Sequence, residues 1–315
     1  MTRLQQWLQG ARQVGQRLLV HKVYGGCVYP IEQRLRSLPN PFLRRALQCS
    51  TPAAMRPVVE ELRRDGIACL PGYLSGDRLA ACRNDCARIV ELIRTSPEAP
   101  ERAMPWRYVG LKYREYEYHS AGAQYTYHCQ PLKHSKALFE VAFDEFLLGV
   151  VARYFNRRFR LCEAGLGRYH PMPPRDFSSW MWHHDGLGPR INIMVLLTDV
   201  GPNDQYMSYL KGTHRLRHGY GIHNGKTRFS REERARRFGQ YRQIDCTGPA
   251  GTVFVFESNG IHRGNRSLGA ERDSLISCYC PGATIWPLGV PRDFLQTLSP
   301  FQRDVLGRNP LAHAV

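Results

Sequence analysis

The stretch Trp182-His183-His184-Asp185-Gly186 places two imidazoles and one carboxylate directly before 191–197, the most strand-like apolar run of the chain. In an extended segment alternate side chains share a face, so we expect His183 and Asp185 to point one way and His184 the opposite way. Two ligands of one metal ion fit that arrangement. A His-x-Asp pair is also common as a surface turn or a hydrogen-bonded pair, so the pair alone leaves both interpretations open.

A third ligand is predicted at His262, which follows a second strand-like run at 252–256. Two histidines and one carboxylate, with coordination positions left open, are the usual non-haem Fe(II) arrangement for oxygen chemistry. The same three ligands can also hold zinc. Ligand types therefore predict a metal site at His183, Asp185 and His262, but they do not decide which metal it binds.

A carboxylate anchor is predicted ten residues beyond His262, where Arg272 opens another strand-like run with Ser274 on the same face. A guanidinium fork beside a hydroxyl suits a carboxylate held by two hydrogen bonds. A metal site with such an anchor fits a 2-oxo acid co-substrate, which chelates the metal through one end and is held at the other.

Charge is the main compositional signal. The chain has 315 residues, 43% of them hydrophobic, and a formal net charge of +17. The length and the hydrophobic content suffice for the core of one large domain or two small ones. The positive charge attracts nucleic acid, an anionic membrane surface or an anionic small substrate. The arginines are spread along the chain without zinc-finger spacing or an RNA-binding signature, so we expect no nucleic-acid partner.

The ten cysteines are scattered without a Cys-x-x-Cys motif, which favours reduced thiols. Cys82 and Cys86 are expected to lie on one helix and to pack into the hydrophobic core. No stretch approaches 18 consecutive apolar residues, and 1–20 lacks the apolar core of a signal peptide. The expected location is the cytoplasm.

Three segments flank or interrupt the predicted main domain, 57–285. Residues 1–50 form a basic amphipathic helical extension, which either packs on the main domain or lies on the anionic inner face of a membrane. Residues 215–242 form a basic insertion with a short helix capped by Ser230 and Glu233, either a solvated surface loop or a lid over the metal. Residues 286–315 form a tail with one short helix.

Taken in order, these motifs resemble the phytanoyl-CoA dioxygenase (PhyH-like) family of Fe(II)/2-oxoglutarate-dependent oxygenases. The resemblance is carried by five segments: Asp65-Gly66-Ile67 with Leu70 to Ser75, Trp182 to Gly186, Leu196 to Val200, Gly212-Thr213-His214-Arg215, and His262 with Arg272. It implies a double-stranded β-helix, a jelly roll with supporting helices, making the chain mainly β in an α+β arrangement. It also implies that His183, Asp185 and His262 bind Fe(II), and that Arg272 and Ser274 bind 2-oxoglutarate.

The activity implied by the resemblance is hydroxylation of an aliphatic C–H bond, with O₂ consumed and 2-oxoglutarate converted to succinate and CO₂, and with ascorbate as a candidate reductant. Related halogenases lack the carboxylate ligand, so Asp185 favours hydroxylation. The charge balance favours an anionic or lipid-linked small molecule as substrate. Two alternatives remain: desaturation or cyclisation by the same chemistry in natural-product biosynthesis, and a non-catalytic, membrane-associated jelly-roll binding protein.

Overall fold

The computed structural model describes residues 52–95, 119–121, 125–128, 130–156, 158–174, 176, 178–185, 190–216, 227–281 and 290–306. The predicted extension at 1–50 lies outside the described residues, as does 217–226 within the basic insertion. Among the described residues, no helix combines the length and the apolar character needed to cross a bilayer.

The described residues form seven α-helices and twelve β-strands. In chain order the helices are α1 (Pro52–Asp65), α2 (Gly76–Thr95), α3 (Lys136–Ala142), α4 (Glu145–Phe155), α5 (Arg231–Phe238), α6 (Arg292–Gln296) and α7 (Pro300–Leu306). The strands are β1 (Ile67–Leu70), β2 (His119–Ala121), β3 (Tyr125–His128), β4 (Arg160–Tyr169), β5 (Trp182–His183), β6 (Ile191–Leu196), β7 (Met207–Leu210), β8 (Arg228–Phe229), β9 (Gln243–Cys246), β10 (Val253–Glu257), β11 (His262–Gly264) and β12 (Arg272–Cys280).

Two antiparallel sheets make up the β-structure. The major sheet has the strand order β1-β10-β6-β12-β4-β3-β2, and the minor sheet has the order β8-β5-β11-β7-β9. Strands that are neighbours in a sheet are far apart in sequence, as where β12 lies between β4 and β6. This exchange of the chain between two sheets is typical of a jelly roll, so the predicted fold class is confirmed.

The two faces of the major sheet have different partners because side chains alternate along each strand. On β6, Met194 and Leu196 pack towards the minor sheet with Phe254 and Phe256 of β10. The intervening residues of both strands pack instead with the helices, in the largest apolar cluster of the described chain. The sheet is thus buried on both faces, and the cavity described below lies on the face opposite the helices.

Helix α2 buries Cys82, Cys86, Ile89, Val90 and Ile93, which confirms the predicted core role of the two cysteines. Helices α3 and α4 are separated at Asp144. The Asp144 carboxylate accepts hydrogen bonds from the backbone N–H groups of Phe146 and Leu147, both at 3.1 Å. An aspartate that satisfies the free N–H groups of a first turn starts a new helix.

The tail differs from the sequence prediction, since it contains the two helices α6 and α7 and not one. Val305 and Leu306 of α7 are buried in the helical cluster, together with Val290 and Leu298. This part of the tail therefore completes the core beneath the major sheet.

A β-bulge interrupts the pairing of β4 with β12. Glu163 lies opposite Cys278 and Leu161 lies opposite Tyr279, so Cys162 has no partner in the register. Leu161 packs in the helical core, whereas Cys162 clusters with Cys278 and Cys280. The extra residue therefore places Cys162 on the same face of the sheet as Glu163.

Cys162 and Cys280 form a disulfide across the bulge. The expectation of reduced thiols throughout the chain is wrong for this pair, because register brings together two strands whose cysteines are separated by 118 residues in sequence. Free thiols are found at Cys69, Cys82, Cys86, Cys246 and Cys278 among the described residues.

The basic insertion contributes to the minor sheet. Strand β8 pairs with β5, and α5 follows with the predicted capping box, in which the Ser230 side chain and the Glu233 side chain each satisfy the other's backbone N–H. Phe229 and Phe238 pack on Trp182 in a small apolar cluster. The described part of the insertion is therefore anchored beside the strand that carries His183.

Candidate metal centre and cavity

The three predicted metal ligands converge at one end of the minor sheet. His183 on β5 lies directly opposite His262 on β11, and Asp185 follows β5 by two residues. Because paired positions of adjacent strands bring side chains together, the two imidazole rings lie 4.3 Å apart between centroids. Ligand atoms of His183, Asp185 and His262 all lie within 4.8 Å of one another.

Backbone carbonyls orient both imidazoles. The Nδ1 atom of His183 lies 2.8 Å from the carbonyl oxygen of Met181, and Nδ1 of His262 lies 2.8 Å from that of Gly260. A carbonyl can only accept, so each Nδ1 carries the proton and each Nε2 presents a lone pair. The two Nε2 atoms face the Asp185 carboxylate at 3.4 and 3.7 Å. The hydrogen bonds from Nδ1 to the two backbone carbonyls are the support that metal-binding histidines normally have.

The protonation states of the cluster also suit a cation. Burial, and to a smaller extent the neighbouring His183, lower the pKa of His262 to about 4, while Asp185 opposes that shift. For Asp185, burial works against ionisation, but His262 and His183 together hold its pKa well below the usual range. At neutral pH the site therefore presents a neutral His262 imidazole and an anionic carboxylate, the forms that bind a divalent ion.

His184 lies elsewhere. It is 2% exposed, and its ring packs near Phe229 of β8, with the ring centroids 6.5 Å apart. The structure thus separates it from His183 and Asp185, as alternation along the strand predicts.

A cavity of about 270 Å³ opens between the sheets, with His183, Asp185 and His262 in its wall. Arg272 and Ser274, on β12, line the same cavity. The Arg272 guanidinium lies 4.1 Å above the Tyr169 ring and is 6% exposed. Arg272 Nε and Ser274 Oγ are buried without a hydrogen-bond partner among the described residues. Since buried polar atoms are normally paired, this end of the cavity fits a small carboxylate ligand.

Two glycines of β4 shape the cavity wall. A Cβ at Gly165 would lie 2.0 Å from the Tyr127 hydroxyl, and one at Gly167 would lie 3.0 Å from the Tyr169 ring. The missing side chains therefore make room for two tyrosines that line the cavity. These two glycines therefore allow close packing of the tyrosine rings against β4.

Several cavity residues were not identified from the sequence. Arg266 stacks 4.0 Å over Trp180 and donates a 2.8 Å hydrogen bond to Gln205 Oε1, which holds a second guanidinium near Arg272. At the other end Glu163 and Asn192 line the cavity near Arg190. Burial raises the pKa of Glu163, Arg190 opposes this shift, and Asp185 adds to it. For Glu163, the sequence signal is one acidic residue within the otherwise uncharged run 161–167 of β4.

The basic insertion stands beside the cavity and not over it in the described part of the chain. Arg228 lies opposite His183 on the edge strand β8, and Arg234 and Arg263 flank the Trp182 ring at 5.6 and 5.2 Å. No described residue of 227–242 lines the cavity.

Solved structures of similar fold include the non-haem α-ketoglutarate-dependent carbocyclase SnoK from nogalamycin biosynthesis, with 18% identity and a TM-score of 0.54 over 81% of this chain and 93% of that one. The epimerase SnoN, in complex with Fe³⁺, α-ketoglutarate and nogalamycin RO, matches with 14% identity and a TM-score of 0.53 over 73% of this chain and 84% of its own. HygX from Streptomyces hygroscopicus, with nickel and 2-oxoglutarate bound, matches with 17% identity and a TM-score of 0.51 over 73% and 89%.

The chain shares their fold. No protein-family model matches the sequence, and no curated protein matches it. At these identities the likeness establishes the jelly-roll architecture alone.

Proposed function

We propose that the protein is an Fe(II)- and 2-oxoglutarate-dependent oxygenase of the phytanoyl-CoA dioxygenase-like type, which hydroxylates an aliphatic C–H bond. One observation carries the proposal: the ligand atoms of His183, Asp185 and His262 lie within 4.8 Å in the wall of a cavity that also holds Arg272. Two imidazoles and one carboxylate occupy three positions of a six-coordinate ion and leave the other three open.

Each residue has a distinct task in this proposal. His183, Asp185 and His262 would hold the iron, and the carbonyls of Met181 and Gly260 would keep both imidazoles in the binding tautomer. Arg272 and Ser274 would bind the distal carboxylate of 2-oxoglutarate, because their unpaired buried atoms need such an acceptor. When bound, iron and 2-oxoglutarate would together use O₂ to oxidise the substrate, releasing succinate and CO₂.

The cavity walls would protect this chemistry from bulk water. Both histidines are nearly buried, with side chains 5% and 7% exposed, while Asp185 is 31% exposed at the opening. Trp180 and Tyr169 cover the two guanidiniums at the inner end. A small acidic co-substrate there would be held by charged donors in a site with little water, where such hydrogen bonds are strongest.

Desaturation or cyclisation is the alternative outcome of the same chemistry. The names of two structural neighbours, a carbocyclase and an epimerase, support an outcome other than hydroxylation. Both outcomes begin with oxidation at a substrate carbon, and the two differ in whether oxygen is delivered to it. Product analysis by mass spectrometry separates them, since hydroxylation adds one oxygen atom, whereas cyclisation removes two hydrogens.

Turnover of 2-oxoglutarate tests the proposed function. Succinate should form from 2-oxoglutarate only when Fe(II) is supplied, and Asp185→Ala should abolish it because the only anionic ligand is lost. Asp77→Ala is the matched control, since Asp77 is an exposed aspartate in the first turn of α2. An iron-loaded wild-type protein that forms no succinate would refute the proposal.

The charge of the chain supports two further proposals, one on the class of substrate and one on where the protein lies in the cell. The net charge of +17 supports an anionic or lipid-linked substrate and contact of residues 1–50 with an anionic membrane. Full-length protein should bind phosphatidylglycerol vesicles at least tenfold more tightly than protein lacking 1–50, with phosphatidylcholine vesicles as the neutral control. Equal binding by the two proteins would contradict the membrane prediction.

A further inference from the structure

The floor of the cavity is formed by β4, β12 and β6, and a row here means one residue of β12 with its register partners on the two neighbouring strands. Arg272, which lies opposite Tyr169, is followed on the cavity face of β12 by Ser274, Ile276 and Cys278. Cys278 lies between Glu163 on β4 and Asn192 on β6, and all three residues line the cavity. Six residues of extended chain separate Arg272 from Cys278, a span of about 20 Å.

Two hydrogen-bond acceptors are presented in this last row. Asn192 is 8% exposed, and its Oδ1 is buried without a hydrogen-bond partner among the described residues. The Glu163 carboxylate is partly buried in the same cavity, where Arg190 offsets its charge. A buried acceptor that lacks a donor costs free energy. The arrangement therefore calls for a ligand with donor groups.

2-Oxoglutarate cannot supply those donors. Its five carbons are joined by four bonds of about 1.5 Å, so a molecule anchored at Arg272 reaches no more than about 6 Å along the floor. Carboxylates and a keto group are also acceptors, not donors. The row of Glu163 and Asn192 is therefore free for another molecule next to Asp185.

We propose that Glu163 and Asn192 form a substrate subsite that accepts hydrogen bonds from a hydroxyl or amino group, carried by a polyol, a sugar or an amino sugar close to the reacting carbon. This inference rests on the proposed function for its distinction between co-substrate and substrate. It also refines the expected anionic substrate, because the part of the substrate at this row has to donate hydrogen bonds, even though Arg190 lies beside Glu163. A substrate carboxylate or phosphate would offer Glu163 and Asn192 no hydrogen-bond donor.

Binding of small probes to Zn(II)- and 2-oxoglutarate-loaded protein tests the subsite without turnover. The probes are cis-1,2-cyclohexanediol, trans-2-aminocyclohexanol and cyclohexanecarboxylate, titrated by saturation-transfer NMR. The first two should bind and the carboxylate should not. Glu163→Leu and Asn192→Leu should each weaken the binding of donor probes about tenfold, the loss expected for one buried hydrogen bond.

Glu163→Gln keeps the shape of the side chain and an acceptor oxygen but removes the charge. This variant should bind the diol within about threefold of wild type. If the natural substrate carries an amino group, wild type should bind the amino alcohol more tightly than the diol. Glu163→Gln should then bind the amino alcohol about tenfold more weakly than wild type does. Glu140→Gln, on the exposed side of α3, is the matched control and should change nothing. Thermal unfolding of each variant verifies folding, and the comparison of the donor probes with cyclohexanecarboxylate on wild type keeps the test valid if a leucine variant does not fold.

The subsite is refuted if wild type binds neither donor probe, if it prefers cyclohexanecarboxylate, or if the leucine variants bind the donor probes as wild type does. Failure of the proposed function is distinct: the iron-loaded protein then forms no succinate, whatever the probes do. Succinate formation together with unchanged probe binding in the leucine variants would overturn the subsite alone.

Discussion

Replacement of Arg272 should selectively weaken the use of 2-oxoglutarate. The guanidinium is 6% exposed and stacked 4.1 Å from Tyr169, so its hydrogen bonds to a carboxylate would be shielded from water. Each hydrogen bond to a charged group contributes about 1.5 to 3 kcal/mol. Arg272→Gln removes the charge and one arm of the fork, and we expect a loss of about 3 kcal/mol. That loss raises the KM for 2-oxoglutarate about a hundredfold.

Arg272→Lys separates charge from geometry. Lysine keeps the positive charge but cannot form the planar two-point contact or the stack on Tyr169, so the expected rise in KM is about tenfold. The assay is the initial rate of succinate formation against 2-oxoglutarate concentration at saturating Fe(II). Arg94→Gln is the control, because Arg94 is 64% exposed at the end of α2. A wild-type KM in Arg272→Gln, with iron affinity unchanged, would show that the anchor lies elsewhere.

Two further predictions follow from the cavity wall and the cross-link. Gly165→Ala should raise the KM for 2-oxoglutarate several-fold by displacing the Tyr127 hydroxyl, which would lie 2.0 Å from the new Cβ. The double variant with Tyr127→Ala should restore the wild-type KM. Failure of that rescue would contradict the steric explanation. Reduction of the Cys162–Cys280 disulfide should lower the free energy of unfolding by about 2 to 4 kcal/mol in urea titrations, because the bond closes a loop of 118 residues. Cys280→Ser should show the same loss and no response to dithiothreitol, whereas equal stability of the oxidised and reduced protein would refute the prediction.

The residues of the candidate metal centre could be predicted because few side-chain types serve as ligands and their order along the chain is informative. His183 and Asp185 are two residues apart beside a strand, and His262 follows another strand, so the sequence contains the spacing that pairing later converts into proximity. The jelly roll followed from the resemblance carried by these same motifs. Both predictions depended on local patterns that survive folding unchanged.

The end of the cavity that holds Glu163 and Asn192 could not be predicted in this way. The position of Glu163 depends on its pairing with Cys278 of β12, more than a hundred residues later, and on the bulge at Cys162. Arg266 takes its direction from Gln205, 61 residues earlier, and from Trp180. Sequence alone likewise does not show that Cys162 and Cys280 are neighbours. Contacts set by register between distant strands leave no local pattern.

The bulge at Cys162 makes the cross-link a separable part of the protein. Removing this single residue would return β4 to a regular ladder, with Leu161 still opposite Tyr279 and Glu163 still opposite Cys278. A deletion at Ala164 would instead turn the residues on one side of the gap to the wrong face. A lineage of such proteins could therefore gain or lose the disulfide at Cys162 through one codon, while the other residues of β4 keep their faces.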